Sequence, residues 1–127
     1  MIEIRFWQAD DGTKFDNKYE CIQYERRKKI EECKNDFIFY DKQKNIIPLE
    51  KAYPEKIDII VIKTPAVANY IGEWFEDNNC YSPFRDCELG YEVGTWVYGE
   101  LLEMGDEWIK IEAEIERLQN FLAEIKQ

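Results

Sequence analysis

The side chains with which this chain could do chemistry are carboxylates and thiols, because the sequence contains no histidine. Nucleophilic catalysis of the Ser-His-Asp or Cys-His type needs a base that takes the proton of the nucleophile, and histidine is the usual one. Neither glycine-rich phosphate-binding motif, G-x-G-x-x-G or G-x-x-x-x-G-K-[ST], occurs in the chain. We therefore expect a protein that is not an enzyme and holds no cofactor.

Two groups of carboxylates have a composition that suits Mg²⁺, which prefers oxygen ligands. Asp10, Asp11 and Asp16 lie close together in the sequence, and Glu73 and Asp77 are four residues apart, on one face of a helix. Carboxylates at such positions also form turns, helix caps and solvated helix surfaces. The structural interpretation is favoured, so we predict no metal site and keep a carboxylate-metal-dependent hydrolase as an alternative.

The four cysteines are interpreted through the compartment that the sequence predicts. The N-terminus has neither the basic nor the apolar region of a signal peptide, and no apolar run approaches the roughly 20 residues that cross a bilayer. We expect a cytoplasmic protein without membrane contact, in which thiols stay reduced. The spacing of Cys21, Cys33, Cys80 and Cys87 does not match the paired C-x₂₋₄-C pattern of structural zinc sites.

The net charge of −10 lies in the C-terminal part of the chain. Residues 1–71 contain 13 acidic and 13 basic side chains, whereas residues 72–127 contain 14 acidic and 4 basic ones. A field of this sign repels nucleic acid and attracts basic surfaces, and carboxylates on a rigid frame imitate a phosphate backbone. We therefore predict a basic protein or nucleoprotein as partner, with no direct binding to nucleic acid. Solubility alone is the alternative explanation of the charge.

The elements that position these residues begin with a strand in which Ile2, Ile4 and Phe6 alternate with polar neighbours. Asp11-Gly12 then predicts a tight turn, and Asp16 is expected to cap a first helix that starts at Asn17.

The middle of the chain predicts three strands, then a second helix and a last strand. Residues 37–40 and 46–47 are expected to form a hairpin, and residues 58–62 a central strand covered on both faces. Thr64 and Pro65 are typical of a helix start, and this second helix should end at Asn78-Asn79. Residues 92–98 are expected to form the last strand.

The C-terminal segment shows the clearest periodicity, with apolar residues separated by alternating steps of three and four. This a/d pattern predicts a helix over residues 106–126 that packs on the sheet, protrudes, or pairs with a second copy or a partner helix. The seam consists of Trp108, Ile111, Ile115, Leu118, Leu122 and Ile125.

The fold class that these elements predict is α+β. We expect a single domain over residues 1–127, with a small mixed or antiparallel sheet of about four to five strands, two packed helices and the C-terminal helix. The predicted interaction surface combines C-terminal carboxylates with aromatic anchors, since Trp and Tyr are common at binding hot spots. Its members are Glu73, Glu76, Asp77, Glu88, Glu92, Glu103, Asp106, Glu107, Glu112, Glu116, Trp74, Tyr81 and Trp96.

Short segments at both ends of the chain resemble small accessory proteins encoded by phages and prophages of Gram-positive bacteria. At the start, these are residues 9–15 (ADDGTKF), then Cys21 and Tyr24-Glu25; later they are residues 81–84 (YSPF) and 106–109 (DEWI). The resemblance implies a protein that acts on host machinery, such as an anti-CRISPR or other anti-defence inhibitor. Such inhibitors are often small, acidic and non-enzymatic, and no site residues are carried over from them.

Three functions follow as hypotheses. The first is a non-catalytic inhibitor that occupies a basic surface of a host nucleic-acid-handling or defence complex. The second is a structural accessory protein that homodimerises through the C-terminal helix, and the third is the metal-dependent hydrolase. A pocket for a small ligand is a fourth option, because 19 aromatic residues could line one.

Overall fold

The computed structural model describes residues 5–85, 87 and 90–126 of the chain. Seven strands and three α-helices are assigned within these residues. The strands are β1 (Trp7–Gln8), β2 (Lys14–Phe15), β3 (Phe37–Tyr40), β4 (Ile46–Ile47), β5 (Ile59–Ile62), β6 (Gly94–Tyr98) and β7 (Trp108–Lys110). The helices are α1 (Lys18–Glu32), α2 (Pro65–Asp77) and α3 (Ile111–Ile125), with short 3₁₀ helices at Leu49–Lys51, Pro54–Lys56 and Gly99–Leu102.

The main sheet is antiparallel, with five strands in the order β4-β3-β5-β6-β7, and β1 pairs with β2 in a separate hairpin. The predicted α+β class and the C-terminal helix are thereby confirmed. Strand β5 occupies the centre of the sheet, as its run of four β-branched residues indicated. Its second face is less covered than predicted, because Ile59 and Val61 are only half-buried while Ile60 and Ile62 are buried.

The N-terminal segment leaves most of its predicted strand untested and corrects the predicted helix cap. Ile2 and Ile4 lie outside the described residues, and the observed strand is Trp7–Gln8, after Phe6. The predicted turn at Asp11-Gly12 does close the β1–β2 hairpin. The cap of α1 is Asn17, not Asp16, because the Asn17 side chain accepts hydrogen bonds from the backbone N–H groups of Tyr19 and Glu20.

The core lies between one face of the sheet and helices α1 and α2. Alternate residues of β3 and β5 point to this face, as the two-residue period of a strand requires, and α2 contributes an apolar stripe at three- and four-residue spacing. The members with less than 2% exposure are Phe39, Phe75, Ile30, Ile60, Ile62, Ile71 and Val67. Helix α2 begins at Pro65, directly after Thr64, and ends at Asp77, directly before Asn78, as predicted.

The C-terminal prediction is wrong at its start. Trp108–Lys110 is an edge strand and not the first turn of a helix, since Tyr98 pairs with Trp108 and Trp96 with Lys110. Strand β6 is therefore not the last strand, and α3 begins only at Ile111. No helix within residues 5–85, 87 and 90–126 is both long and apolar enough to cross a membrane.

Candidate interaction surface

Helix α3 carries an apolar stripe along its whole length. Its apolar side chains recur every three or four residues and so fall on one side of a helix about 22 Å long. None of the helix residues is buried. Five side chains of this stripe are about half-exposed or more, and we call them the α3 face. They are Ile115 (48%), Leu118 (51%), Phe121 (58%), Leu122 (50%) and Ile125 (62%).

The α3 face contains most of the predicted seam but differs from it at both ends. Trp108 belongs to β7 and is half-buried, and Ile111 is half-buried at the start of the helix. The a/d pattern does not include Phe121, although this residue stands three after Leu118 and four before Ile125 and so lies on the same side of the helix. The seam is thus an exposed surface from Ile115 to Ile125, and it does not pack on the sheet.

The start of α3 is fixed to the sheet by Glu112. Strand β7 ends at Lys110, opposite Trp96, so the next N–H group of β6, that of Thr95, has no strand carbonyl opposite it. Both carboxylate oxygens of Glu112 accept a hydrogen bond from the Thr95 N–H at 2.9 Å. Burial acts to raise the pKa of Glu112, but the Thr95 N–H and the other hydrogen bonds of its carboxylate outweigh it and lower this pKa.

An acidic segment precedes α3. Residues 99–107 contain Glu100, Glu103, Asp106 and Glu107 and no basic residue, and all four side chains are exposed. The segment turns sharply at Gly99, whose N–H donates to the Glu107 carbonyl at 2.8 Å. A Cβ atom at this position would come within 2.8 Å of the carbonyl oxygens of Glu107 and Gly105, so glycine allows the close approach.

Helix α3 itself adds further charge beside the apolar stripe. Glu116 and Glu124 are exposed, whereas Glu114 pairs with Arg117 one turn along the helix. Residues 99–126 therefore combine an apolar face with carboxylates that remain in solvent.

The predicted aromatic anchors are one exposed residue, one half-buried residue and one core residue. Tyr81 is 80% exposed. Trp74 is instead half-buried against the core, with its ring stacked on that of Phe39 at 5.5 Å, and Trp96 is only 5% exposed. The prediction that Trp74 and Trp96 lie on the surface is wrong, because residue type alone does not say which face of an element a side chain occupies.

Several predicted carboxylates already have partners inside the fold. Asp77 accepts from Arg26 of α1 at 2.9 Å, and Glu73 lies 3.7 Å from the same guanidinium. Glu92 is 6% exposed and accepts from the Gly90 N–H, so its inclusion in the surface is wrong.

The other predicted members of the surface are all exposed, except for one that lies outside the described residues. Glu88 lies outside the described residues, and those that are exposed are Glu76, Glu103, Asp106, Glu107, Glu112 and Glu116.

Three of the five carboxylates weighed as metal ligands, Asp11, Glu73 and Asp77, are held by cations or a hydroxyl group of the chain. Asp11 accepts from the Lys28 ammonium and the Tyr24 hydroxyl, both at 2.6 Å, and these bonds hold its pKa well below the usual range. Glu73 and Asp77 share Arg26, as described above. Among the residues that the structure describes, no three His, Cys, Asp or Glu side chains form a group able to hold a metal ion.

All four cysteines lie within the described residues, and they form no disulfide with one another. Burial is the main reason that the pKa values of Cys21 and Cys33 are raised, which disfavours the reactive thiolate.

Comparisons of the chain with protein-family models, with curated proteins and with solved structures find no match. The resemblance to phage accessory proteins therefore stays a prediction.

Proposed function

We propose that this chain is a non-catalytic binding protein that docks a basic amphipathic helix of a partner protein on the α3 face. The observation that carries the proposal is the exposure of that face on a chain that already has a packed core elsewhere. Contiguous exposed apolar side chains with a polar rim are typical of protein interaction sites. A helix laid against such a stripe is a common form of peptide recognition.

The charge of the molecule favours a basic occupant. The chain carries −10, so a second copy would meet long-range repulsion, whereas a basic helix is attracted. The carboxylates of residues 99–107 and the exposed Glu116 and Glu124 lie in the same C-terminal segment as the apolar stripe. Steering by these charges raises the association rate, and the apolar contact then holds the complex.

The expected affinity is moderate. Full burial of one Leu, Ile or Phe contributes about 1.5–3 kcal/mol, so the half-exposed side chains of the α3 face contribute roughly 1 kcal/mol each when covered. The apolar residues of the partner helix add a similar amount, against an association cost of at least about 4 kcal/mol. The net gain is at most about 6 kcal/mol, which corresponds to a dissociation constant on the order of tens of micromolar or weaker.

Binding to a defined peptide tests the docking site. The probe is a fluorescent helical peptide of leucine and lysine with a period of 3.6, compared with the same peptide in which glutamate replaces lysine. We expect the lysine peptide to bind and the glutamate peptide not to bind. Leu118→Asp should weaken binding at least tenfold, because it places a charge in the centre of the apolar stripe.

Asn120→Asp is the matched control, since it adds the same charge two residues further on, about 200° around the helix. Equal effects of the two variants on binding, or no loss in Leu118→Asp, would exclude the α3 face as the site. If light scattering gives a dimer that Leu118→Asp converts to a monomer, the occupant is a second copy, and the homodimer replaces this proposal.

The wider proposal is that the partner belongs to a host nucleic-acid-handling or defence complex of the kind that phage inhibitors block. It is supported by the charge asymmetry and by the sequence resemblance, since basic grooves that hold nucleic acid match an acidic, partly apolar surface. Its test is inhibition. The protein should reduce nucleic-acid binding by the host complex to which it binds. Leu118→Asp should abolish this inhibition, whereas Asn120→Asp should retain it.

A further inference from the structure

A cleft of about 860 Å³ lies away from the α3 face. It is bordered by the β3–β4 turn, by residues 54–58, by the C-terminal end of α2 and by Tyr98 and Trp108. Its volume falls within the range of roughly 300–1,000 Å³ that small-molecule sites occupy.

A row of three polar side chains crosses the sheet at this cleft. The Asp58 N–H donates to the Tyr40 carbonyl at 3.0 Å and the Tyr98 N–H to the Asp58 carbonyl at 2.8 Å, so Asp58 continues the register of β5 by one residue. Its side chain therefore shares the core-facing side with Ile60 and Ile62. Tyr98 and Trp108 pair across β6 and β7 and complete the row.

The polar atoms of this row have no partner among residues 5–85, 87 and 90–126. No hydrogen bond joins a described residue to the Asp58 carboxylate, the Tyr98 hydroxyl or the Trp108 Nε1–H, although all three residues are half-buried. Burial raises the pKa of Asp58 against the effect of Lys42, and Asp41 and Glu100 raise it further. Burial likewise raises the pKa of Tyr98.

Aromatic rings form one wall of the cleft. The ring centroids of Tyr98 and Trp108 are 5.6 Å apart at an interplanar angle of 54°, and those of Phe75 and Trp108 are 6.3 Å apart at 84°. Aromatic faces beside a carboxylate are the usual environment in which proteins hold ammonium and guanidinium groups, because the face of each ring is negative.

The charged residues that line the cleft differ in depth. Lys42, Lys51 and Lys56 are exposed at the rim, as are Glu55 and Glu100. The two half-buried charges are both carboxylates, those of Asp41 and Asp58. One Asp41 oxygen already accepts from the N–H groups of Gln43 and Asn45, whereas the Asp58 carboxylate accepts from no described residue. The inner part of the cleft thus presents an available negative charge.

We propose that this cleft binds an organic cation, an ammonium or guanidinium group, against the Asp58 carboxylate and beside the rings of Tyr98 and Trp108. The site goes beyond docking at α3, because none of its lining residues belongs to that helix. The cation has two possible sources with the same chemistry, a free small molecule or a Lys or Arg side chain of a peptide.

The test compares a cation with its neutral isostere. Methylguanidinium and methylurea have nearly the same shape and differ in charge, and a blocked Gly-Arg-Gly peptide carries the same group on a backbone. Each is titrated into the full chain while the indole N–H signals of the four tryptophans are followed by NMR. We expect methylguanidinium to shift the Trp108 signal with saturation, and methylurea to leave it unchanged.

Asp58→Asn should weaken cation binding at least tenfold, and Asp16→Asn is the control because Asp16 is an exposed aspartate. Tighter binding of the peptide assigns the cation to a protein side chain, and tighter binding of methylguanidinium assigns it to a free molecule. The proposal is overturned if neither cation shifts Trp108, if methylurea acts equally, or if Asp58→Asn binds as the wild type does. This test uses no substitution on α3. A negative result would therefore exclude the cation site without bearing on the proposal that a helix docks on the α3 face.

Discussion

Glu112 should be the residue that attaches α3 to the sheet, and Glu112→Ala is the perturbation that isolates this role. The carboxylate accepts from the Thr95 N–H at the position where β7 has already ended. A hydrogen bond to a charged group contributes about 1.5–3 kcal/mol, and the exposure of Glu112 reduces this through solvent screening. We expect a loss of about 1 kcal/mol, which corresponds to roughly 4 °C in melting temperature for a domain of this size.

The matched control is Glu116→Ala, which removes the same side chain from the same helix at an exposed position. Both changes replace glutamate by alanine in α3, so their difference measures the contacts of the Glu112 carboxylate with Thr95 and with the first turn of the helix. Hydrogen exchange gives a second measurement, because the Thr95 amide should exchange faster in Glu112→Ala only. Equal melting temperatures and equal Thr95 exchange in the two variants would refute the attachment.

The pH dependence of the same pair follows from the lowered pKa of Glu112. The group is more acidic in the folded chain than its ordinary value of 4.5. Its contribution to stability is therefore fully present above that value and is lost as the pH falls through the lower folded pKa. The difference in unfolding free energy between Glu112→Ala and the wild type should be constant near neutral pH and should narrow below about pH 4.

Three further predictions concern the body of the fold. Arg26→Ala should lower the free energy of unfolding by about 1 kcal/mol in denaturant titration, since it leaves the half-buried Asp77 unpaired, while Arg27→Ala at an exposed position should change it by less than about 0.5 kcal/mol. Asp58→Leu should raise thermal stability at neutral pH by about 1 kcal/mol, because it removes a half-buried carboxylate without a hydrogen-bond partner among the described residues. This gain should vanish below the ordinary aspartate pKa, since a raised folded pKa destabilises only the charged form. Gly99→Ala should cost about 1–3 kcal/mol by overpacking against two carbonyl oxygens, and a melting temperature equal to the wild type would contradict the close approach seen there.

The elements whose signal is local were predictable from the sequence. Helix α2 is indicated by Thr64, Pro65 and a stripe of apolar residues. Strand β5 is indicated by four consecutive β-branched residues. Strand β7 was not predictable in the same way. Trp108 stands three residues before Ile111, as it would in a helix, and only its pairing with Tyr98 across the sheet makes this segment a strand.

In the candidate sites, too, the sequence predicts some features and not others. The periodicity of α3 predicts an apolar stripe, but it does not say whether the stripe is covered, because core helices and exposed docking helices share the pattern. Residue type predicts Trp74 and Trp96 on the surface, whereas Trp96 lies in the core and Trp74 is half-buried against it. The sequence does indicate which side of the sheet Asp58 faces, since Asp58 has the same two-residue phase as Ile60 and Ile62. A single carboxylate at a strand end is also an ordinary turn residue, so this phase alone does not identify a site.

The exposure of α3 follows from how the chain enters it. The helix begins at Ile111, immediately after the last residue of β7, so no connecting residues remain with which the chain could reverse direction and lay the stripe on the sheet. Connections between packed elements commonly need two to six residues.

An isolated helix of about 15 residues is marginal in water, so α3 depends on Glu112 at its start and on whatever covers its apolar face. Hydrogen exchange should therefore show weak protection along residues 115–125 in the free protein and strong protection once the basic peptide is bound. Full protection in the free chain would mean that the stripe is already covered, and the α3 face would no longer need an occupant.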